Sequence, residues 1–385
     1  MKAMKKLLSV ALVAVMTLSM LVGCGAAEEA TTWKIGGMGP LTGGAAVYGT
    51  AVRNGAELAI NEINAAGGIG GVQIEFNFQD DELDNEKALN AYNALKDWGM
   101  NLLVGAVTSG CSAAVSAESS VDNMFQLTPS GSSTDCIATG NAFQVCFTDP
   151  NQGVASAQYI GENGLAQNVA IIYNSSDIYS TGIYEKFKEE AANQSFTIVA
   201  EAAFTNDSKS DFTVQLQQAA DAGADLVFLP IYAQEASLLL TQADAMGYAP
   251  IFFGCDGLDG ILAIENFDTT LAEGVILLTP FVADAEDERT QNFVNAYVET
   301  YGEIPNQFAA DAYDCVYAVY KAMNEAGLDA SASHEDICEA LVGLFAGDFT
   351  ASGVTGAQME WNEAGEVNKT PNAMVIENGV YVPVE

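Results

Sequence analysis

Residues 101–135 read NLLVGAVTSGCSAAVSAESSVDNMFQLTPSGSSTD and contain two short apolar runs separated by a segment of small residues. The two runs, residues 102–107 and 125–128, are bounded by turn formers, which is typical of buried parallel strands. The letters TSG close the first run and PSGSST follow the second, so each strand ends in a loop rich in hydroxyl side chains. The order strand, loop, helix, strand, loop predicts an α/β unit with neighbouring parallel strands.

The two hydroxyl-rich loops are expected to face one crevice, because ligands of open parallel sheets bind outside the carboxyl ends of the strands. Thr108 and Ser109 belong to the first loop, and Ser130 and Ser132 belong to the second. Together with the free backbone N–H groups of a helix that starts near Ser112, these hydroxyls suit an anionic group such as a carboxylate. The same residues also suit helix capping and chain turns, so both interpretations stay open at this point.

Strand-like and helix-like segments alternate along most of the chain. A first series covers residues 33–128, and a second series repeats the pattern over residues 169–254. This alternation predicts the fold class α/β, with two doubly wound lobes that each contain a parallel sheet. Two short runs within residues 372–384, joined by Asn378 and Gly379, predict a closing hairpin.

The chain is expected to cross between the lobes three times, near residues 147–150, 278–281 and 353–361. After removal of an N-terminal signal, about 360 residues remain, which is too long for one ordinary core and favours two lobes. The expected division assigns residues 33–148 and 281–355 to the first lobe, and residues 149–280 and 356–385 to the second.

The N-terminal segment has the features of a secretion signal. Residues 1–23 combine three lysines with an apolar run, residues 7–22, that is shorter than the ~20 residues of a membrane-spanning helix. The letters LVGC resemble the lipobox of bacterial lipoproteins, whose cysteine becomes the lipidated first residue of the mature protein. We therefore expect a signal peptide at residues 1–23, lipidation of Cys24 and a tether at residues 24–32. An ordinary cleaved signal and an uncleaved anchor are the alternatives.

The net charge restricts the partners of the protein. The full sequence carries −38, and removal of residues 1–23 leaves 10 basic and 51 acidic residues, a net charge of −41. Nucleic acid is therefore excluded as a partner, and anionic ligands are repelled at long range. Since 49% of the residues are hydrophobic, the acids are expected to coat a large folded core.

Six cysteines follow Cys24 in the sequence, and none of them forms a CxxC pair. Disulfides are permitted outside the cytoplasm, and the pairs Cys136 with Cys146 or Cys315 with Cys338 are conceivable. Six cysteines allow 15 connectivities, and the sequence does not choose among them. Buried free thiols are an equal alternative for these residues, which also include Cys111 and Cys255.

Motifs typical of enzymes are absent from the sequence, which contains no Walker A loop, no GxSxG elbow and no HExxH. The single histidine, His334, lies in the letters SHEDIC, where Ser333 or Asp336 suits a helix start better than a catalytic dyad or a metal site. We expect no enzymatic activity, no cofactor and no metal.

A set of short motifs along the mature chain resembles the leucine/isoleucine/valine-binding protein family, the type I solute-binding components of ABC importers. In chain order the motifs are MGPLTGGAAVYG, AINEINAAGGIGG, FQDDELDNEKA, VGAVTSG, LTPSGSSTD, DIYSTG, FFGCDG and MEWNEAGEV. Each motif is weak by itself, but the ordered set is specific and covers nearly all of the mature chain. The resemblance implies two Rossmann-like lobes joined by a three-crossover hinge, the type I periplasmic binding fold.

The resemblance also implies a set of ligand-binding residues. In that family an amino acid lies between the lobes, with its carboxylate held by the first lobe and its ammonium by an acid. The matching residues are Thr108, Ser109, Ser130 and Ser132 for the carboxylate, Asp256 for the ammonium, and the surrounding aromatics Tyr48, Tyr179, Tyr232 and Phe308. Hydroxyls, a carboxylate and aromatic faces suit these roles chemically, although turn formation and core packing are alternatives for individual residues.

Two departures from the family pattern affect these expectations. Branched-chain members carry a longer acid where this chain has Asp256, which leaves the size of the ligand open. A cysteine that some members carry after DD is replaced by Leu83 and Asp84, so their disulfide is not expected. Only two arginines occur, Arg53 and Arg289, and a phosphate or dicarboxylate usually requires such a residue, so a neutral zwitterionic amino acid is the preferred ligand.

The function implied by the resemblance is that of an extracytoplasmic lipoprotein that captures a neutral amino acid, branched-chain or otherwise apolar, for an ABC importer. The expected partners are the ligand, the permease subunits of the importer and, through the lipid anchor only, the outer face of the cell membrane. The protein is expected to be a monomer. An extracellular sensor for a membrane receptor, an importer protein for another solute such as an amide, and a structural lipoprotein are the alternatives.

Overall fold

A computed structural model describes residues 32–384 of the protein. The predicted signal peptide, the predicted lipidation site Cys24 and the predicted tether up to residue 31 lie outside the described residues. Within residues 32–384, no helix has both the length and the apolar composition that crossing a lipid bilayer requires.

Strands and helices alternate along the described chain. The strands are β1 (Trp33–Gly39), β2 (Ile74–Asp80), β3 (Leu102–Val104), β4 (Gln126–Thr128), β5 (Ala142–Gln144), β6 (Asn168–Asn174), β7 (Thr197–Phe204), β8 (Leu226–Leu229), β9 (Ile251–Gly254), β10 (Ile276–Thr279), β11 (Thr350–Ala351), β12 (Met359–Glu360), β13 (Asn372–Glu377) and β14 (Val380–Pro383). The helices are α1 (Ala46–Ala65), α2 (Asn85–Trp98), α3 (Ser109–Val121), α4 (Asp149–Glu162), α5 (Ile178–Ala191), α6 (Thr213–Asp221), α7 (Ala233–Met246), α8 (Glu288–Tyr301), α9 (Gln307–Ala326) and α10 (His334–Phe345).

Two large sheets share one internal strand order. The first sheet is parallel throughout, in the order β2-β1-β3-β4-β5. The parallel part of the second sheet repeats this order as β7-β6-β8-β9-β10, and the antiparallel hairpin β13-β14 extends it beyond β10. We call the parts of the chain built on these sheets the first lobe and the second lobe. The predicted α/β class with two doubly wound lobes is confirmed, and so is the closing hairpin.

Helix ends follow the capping residues in the sequence. The Asp84 side chain accepts the backbone N–H groups of Glu86 and Lys87 at the start of α2, and Gly99, with a φ of 86°, closes this helix in the left-handed conformation. Ser333 caps α10, as the letters SHEDIC predict. These local interactions fix where the helices point relative to the strands.

Helices α1 and α9 are in backbone contact within the first lobe. A Cβ atom at Gly55 would lie 2.0 Å from the carbonyl oxygen of Ala309, so a side chain at this position would separate the two helices. Tyr48 lies near the start of α1 and Phe308 near the start of α9. The close approach brings their ring centroids to 4.7 Å and places both rings at the edge of the cleft between the lobes.

All six cysteines that follow Cys24 are buried and unpaired. Of the two sequence-based alternatives, the structure therefore has free thiols. Burial raises the pKa of Cys111 to about 12 and that of Cys338 to about 11, which keeps both thiols protonated and unreactive at neutral pH.

The segment between β12 and β13 is fixed to the first lobe by polar contacts. Trp361 Nε1 donates to the carbonyl oxygen of Gln144 at 2.8 Å, and the N–H of Gln144 donates to the carbonyl oxygen of Gly365 at 3.1 Å. Lys369 Nζ lies 2.7 Å from Asp311 Oδ1, and their side chains are only 2% and 1% exposed. Because a buried charge requires a partner, this ion pair ties the segment to α9.

Lys369→Met is expected to lower the free energy of unfolding by about 3–5 kcal/mol at pH 7, because Asp311 is left as a buried charge without its cation. The matched control is Lys186→Met, whose ion pair with Glu189 has side chains that are 44% and 71% exposed. We expect the control to change stability by less than about 0.5 kcal/mol. Urea unfolding followed by circular dichroism measures both values, and equal losses would contradict a stabilising role for the buried pair.

Candidate functional site

A cavity lies between the two lobes, at the carboxyl ends of their parallel strands. Its lining comes from the loops after β3 and β4, from the loops after β8 and β9, and from the first turns of α1, α5 and α9. Eight of the nine residues predicted from the sequence line it: Tyr48, Thr108, Ser109, Ser130, Tyr179, Tyr232, Asp256 and Phe308. The structure thus brings together residues that are up to 260 positions apart, whereas Ser132 is not part of the lining.

Hydroxyl and amide groups of the first lobe form one side of the cavity. Thr108 precedes α3, but its Oγ1 caps no backbone N–H and is buried without a hydrogen-bond partner among the described residues. Ser109 Oγ accepts two backbone N–H groups of the loop after β4 at 3.2 Å each, so its own proton is available for donation. Ser130 Oγ donates to the carbonyl oxygen of Val107 at 2.7 Å. With the first N–H groups of α3, this side offers donors to an anion.

Ser132 lies behind the lining and connects it to the crossing between the lobes. Its carbonyl oxygen accepts the N–H of Asp149 at 2.9 Å, and its Oγ is buried with no partner among residues 32–384. Asp149 is 1% exposed, and its Oδ2 likewise has no partner within the described chain. Burial raises the pKa of Asp149 well above its usual range.

Asp256, the acid of the second lobe, is 3% exposed and is held by hydrogen bonds from its own lobe. Tyr179 Oη donates to Asp256 Oδ1 at 2.8 Å, and the N–H of Asp256 donates to Gln152 Oε1 at 3.1 Å. In the described part of the chain, no lysine, arginine or histidine forms a salt bridge with Asp256. Burial raises the pKa of Asp256 to about 7, and the hydrogen bond that Tyr179 donates to the carboxylate limits the rise.

Four aromatic rings form a continuous wall along the cavity. The ring of Tyr48 lies 4.7 Å from that of Phe308 and 5.6 Å from that of Tyr232, measured between centroids. Tyr232 stacks on Tyr179 with centroids 5.0 Å apart and an interplanar angle of 8°. Such a wall suits apolar groups and cations that lie over a ring face.

Direct hydrogen bonds between the lobes close the cleft in this structure. Tyr48 Oη, on the first lobe, donates to the carbonyl oxygen of Gly257 at 2.6 Å and accepts the N–H of Ala233 at 2.7 Å. At the start of α9, the N–H of Gln307 donates to Asp259 Oδ2 at 2.9 Å. Both contacts join helices of the first lobe to loops that follow β8 and β9 of the second.

Gln152, Asp149 and Gln307 belong to the site and were missed by the sequence analysis. The available signal was the spacing of polar residues in the first two turns of α4, where Asp149, Gln152 and Ser156 fall on one face and are all buried. A buried polar stripe at helical spacing indicates a polar partner on a neighbouring element. Among the described residues, no group of three or more histidines, cysteines or acids is arranged to hold a metal ion.

The chain is similar in sequence to known solute-binding proteins. Residues 32–369 match the model of a family described as periplasmic binding protein. The Leu/Ile/Val-binding protein homolog 3 of Brucella melitensis is 32% identical over 226 residues, 58% of this chain and 61% of that protein, so the chain spans only part of this relative. The leucine-, isoleucine-, valine-, threonine-, and alanine-binding protein of Pseudomonas aeruginosa is 27% identical over 314 residues, 81% of this chain and 82% of that protein.

Solved structures share the fold. The branched-chain amino acid transporter substrate-binding protein LivJ of Streptococcus pneumoniae, in complex with isoleucine, has a TM-score of 0.82 and 30% identity, covering 91% of this chain and 97% of that one. A solute-binding protein of R. palustris in complex with benzoate has a TM-score of 0.80 over 92% of this chain and 95% of that one. At 20% identity, the second likeness concerns the fold alone.

Tyr48→Phe is expected to shift the free protein towards an open cleft, because it removes two hydrogen bonds between the lobes and keeps the ring. At about 0.5–1.5 kcal/mol for each bond, the ratio of open to closed molecules should rise about 5- to 150-fold. Small-angle X-ray scattering measures the change as a larger radius of gyration. Tyr184→Phe, at a half-buried tyrosine whose hydroxyl donates to Glu201 within the second lobe, is the control. An unchanged radius in Tyr48→Phe would contradict the role of this residue in closure.

Asp256→Asn is expected to change how stability depends on pH. Between the pKa of an unfolded aspartate, about 4, and the folded value of about 7, the folded protein retains a proton that the unfolded chain has lost. The free energy of unfolding of the parent protein therefore falls as pH rises through this window, whereas asparagine has no such proton.

Relative to the parent protein, Asp256→Asn should gain about 2–3 kcal/mol between pH 5 and pH 8, as measured by urea unfolding. Other buried acids titrate equally in both proteins and cancel in the comparison. Asp135→Asn, at an exposed position, is the control and should show no such gain. A pH-independent difference between Asp256→Asn and the parent protein would refute the assignment.

Proposed function

Because the chain belongs to the periplasmic binding protein family, within its leucine/isoleucine/valine-binding group, we propose that it captures a neutral amino acid in the interlobe cleft and delivers it to an ABC importer. The family consists of extracytoplasmic solute-binding proteins and not of enzymes. The proposed ligand has a branched-chain or otherwise apolar side chain, as the names of the relatives suggest.

Two complementary sets of groups face each other across the cavity, and this observation carries the proposal. Thr108, Ser109 and the first N–H groups of α3 offer hydrogen-bond donors on the first lobe. Asp256 offers a carboxylate on the second lobe that forms no salt bridge with any described residue. An α-amino acid carries a carboxylate and an ammonium on adjacent atoms, so it satisfies both sets at once.

The rest of the cavity and the charge of the chain favour a neutral ligand. The four-ring wall suits an apolar side chain. The net charge of −41 after removal of the signal opposes anionic ligands at long range but not zwitterions. Arg53 points its Nη2 to the side chain of Asn54 and does not line the cavity.

Capture would proceed by closure of the two lobes around the ligand. The ligand first binds the donors of the first lobe, and the second lobe then brings Asp256, Tyr179 and Tyr232 over it. Ligand contacts on both lobes stabilise the closed form more than the open form, so closure depends on the ligand. The bonds from Tyr48 and Gln307 add to the stability of the closed form that docks on the importer.

The proposal includes the anchoring and the partners expected from the sequence. The protein would be exported, lipidated at Cys24 and held as a monomer at the outer face of the cell membrane. Its partners would be the amino acid and the permease subunits of the importer. A receptor partner instead of a permease would make the same cleft a sensor, and transport of labelled ligand into proteoliposomes with the permease distinguishes the two outputs.

The division into lobes is also part of the proposal. The first two crossings are proposed at residues 148/149 and 280/281, as expected from the sequence. For the third crossing, the bonds of Trp361 and Gly365 to Gln144 and the ion pair of Lys369 favour a position near residue 370 over the sequence-based position near 355.

A thermal-shift screen of the unlipidated mature protein tests the ligand class. After refolding to remove bound ligand, we expect stabilisation by neutral amino acids, since a ligand at ~100 times its dissociation constant adds about 2.7 kcal/mol. The panel includes amides, polyamines, nucleosides, sugars and benzoate. A shift with benzoate or an amide and none with any amino acid would overturn the proposal.

Asp256→Asn should weaken binding of the responding amino acid at least about 30-fold by calorimetry, because the ammonium loses its buried counter-charge. Asp268→Asn, at an exposed carboxylate of the second lobe, is the matched control and should bind as the parent protein does. An unchanged affinity in Asp256→Asn would contradict the assignment of Asp256 to the ligand site.

A further inference from the structure

A buried polar chain runs through the first crossing between the lobes and ends at Asp256. Gln152, on the first turn of α4, is 0% exposed and is not part of the cavity lining. Its Oε1 accepts the N–H of Asp256 at 3.1 Å, and its Nε2 donates to Asp149 Oδ1 at 3.5 Å. The N–H of Asp256 needs the amide oxygen, which fixes the orientation of the amide and leaves Nε2 to donate to Asp149.

Asp149 connects this chain to the first lobe. Its N–H donates to the carbonyl oxygen of Ser132, in the loop that also carries Ser130. The loop after β4 and the loop after β9 are thus joined through three consecutive buried contacts, Ser132 to Asp149, Asp149 to Gln152 and Gln152 to Asp256. Residues 152 and 256 are 104 positions apart, so this connection exists only in the folded protein.

Two polar atoms of Asp256 form hydrogen bonds with residues of the second lobe. Gln152 holds its backbone N–H, and Tyr179 Oη, which itself accepts the N–H of Gly257 at 2.9 Å, donates to its Oδ1. These bonds set both the backbone and the side-chain orientation of the loop. Oδ2 is therefore the carboxylate oxygen left for a group in the cavity.

We propose that Gln152 is a positioning residue for Asp256, held in its orientation by Asp149, and that it sets how strongly the site prefers an ammonium-bearing ligand. This inference rests on the proposed function, because it requires that Asp256 binds the ammonium. Gln152 acts through Asp256 and does not contact the ligand, so its effect is confined to ligands that carry an ammonium group.

The test compares amino acids with their deaminated analogues. The probes are L-leucine, L-valine and L-alanine, paired with 4-methylpentanoate, 3-methylbutanoate and propanoate, and calorimetry gives the affinity ratio of each pair. Gln152→Met keeps the volume and removes both polar ends of the side chain. We expect it to lower the ratio about 10- to 100-fold, mainly through weaker binding of the amino acid, since misplacement of a binding group by about 1 Å has effects of this size. Gln158→Met, at an exposed glutamine of the same helix, is the control and keeps the ratio.

A double-mutant cycle separates positioning from a general structural effect. In the Asp256→Asn background, Gln152→Met should leave the ratio unchanged, because the group that it positions is already lost. If Gln152→Met weakens the binding of the amino acid and of its analogue equally, in both backgrounds, the inference is overturned. If the parent protein binds none of the amino acids, the proposed function fails; if it binds them and Gln152→Met keeps the ratio, only this inference fails.

Asp149→Leu tests the same chain if Gln152→Met does not fold. It removes the acceptor of the Gln152 amide together with a buried acid, and replacing such an acid by an apolar side chain of similar size is tolerated by folded proteins. We expect the ratio to fall in Asp149→Leu and to be restored in Asp149→Asn, which returns an oxygen to Gln152. Equal ratios in these two variants would overturn the inference.

Discussion

Within residues 32–384, no cation pairs with the buried carboxylate of Asp256, and the organisation of the site follows from this constraint. Asp311 is buried to a similar depth but has Lys369 at 2.7 Å. For Asp256, Tyr179 donates to the carboxylate and Gln152 accepts the backbone N–H, so neither brings a positive charge, and burial raises the pKa of Asp256 to about 7. Since a buried charge is stable only with a partner, a ligand ammonium is the group that completes this site.

The fold places half of the recognition chemistry on each lobe. Both sheets have the same strand order, and in both the loops at the carboxyl ends of the strands line the cleft. The first lobe contributes hydroxyls and helix N–H groups, and the second contributes Asp256 with two stacked tyrosines. Neither half can satisfy a zwitterion alone, so the strongest binding requires the closed arrangement that the hydrogen bonds of Tyr48 stabilise.

The parts of the site that the sequence predicts are those that follow from local order. Thr108 and Ser130 end neighbouring parallel strands, and strand order alone puts such ends side by side. Ser132 shows the limit of this reasoning, because it shares the loop of Ser130 but lies behind the lining, next to Asp149. Gln152 has the appearance of an ordinary helix residue, and its importance comes from a contact 104 positions away.

The sequence by itself determined the α/β class, the repeated unit, the closing hairpin and the loops that carry the site residues, because hydrophobic periodicity, capping and turn residues act over a few positions. Tertiary structure decided that the six thiols stay unpaired and that Tyr48 reaches Gly257 across 209 positions. It also decided that Lys369 neutralises Asp311, while no cation in the described part of the chain neutralises Asp256. These outcomes depend on which distant segments meet and on how much water their contact removes, and neither quantity is encoded in any short stretch of the chain.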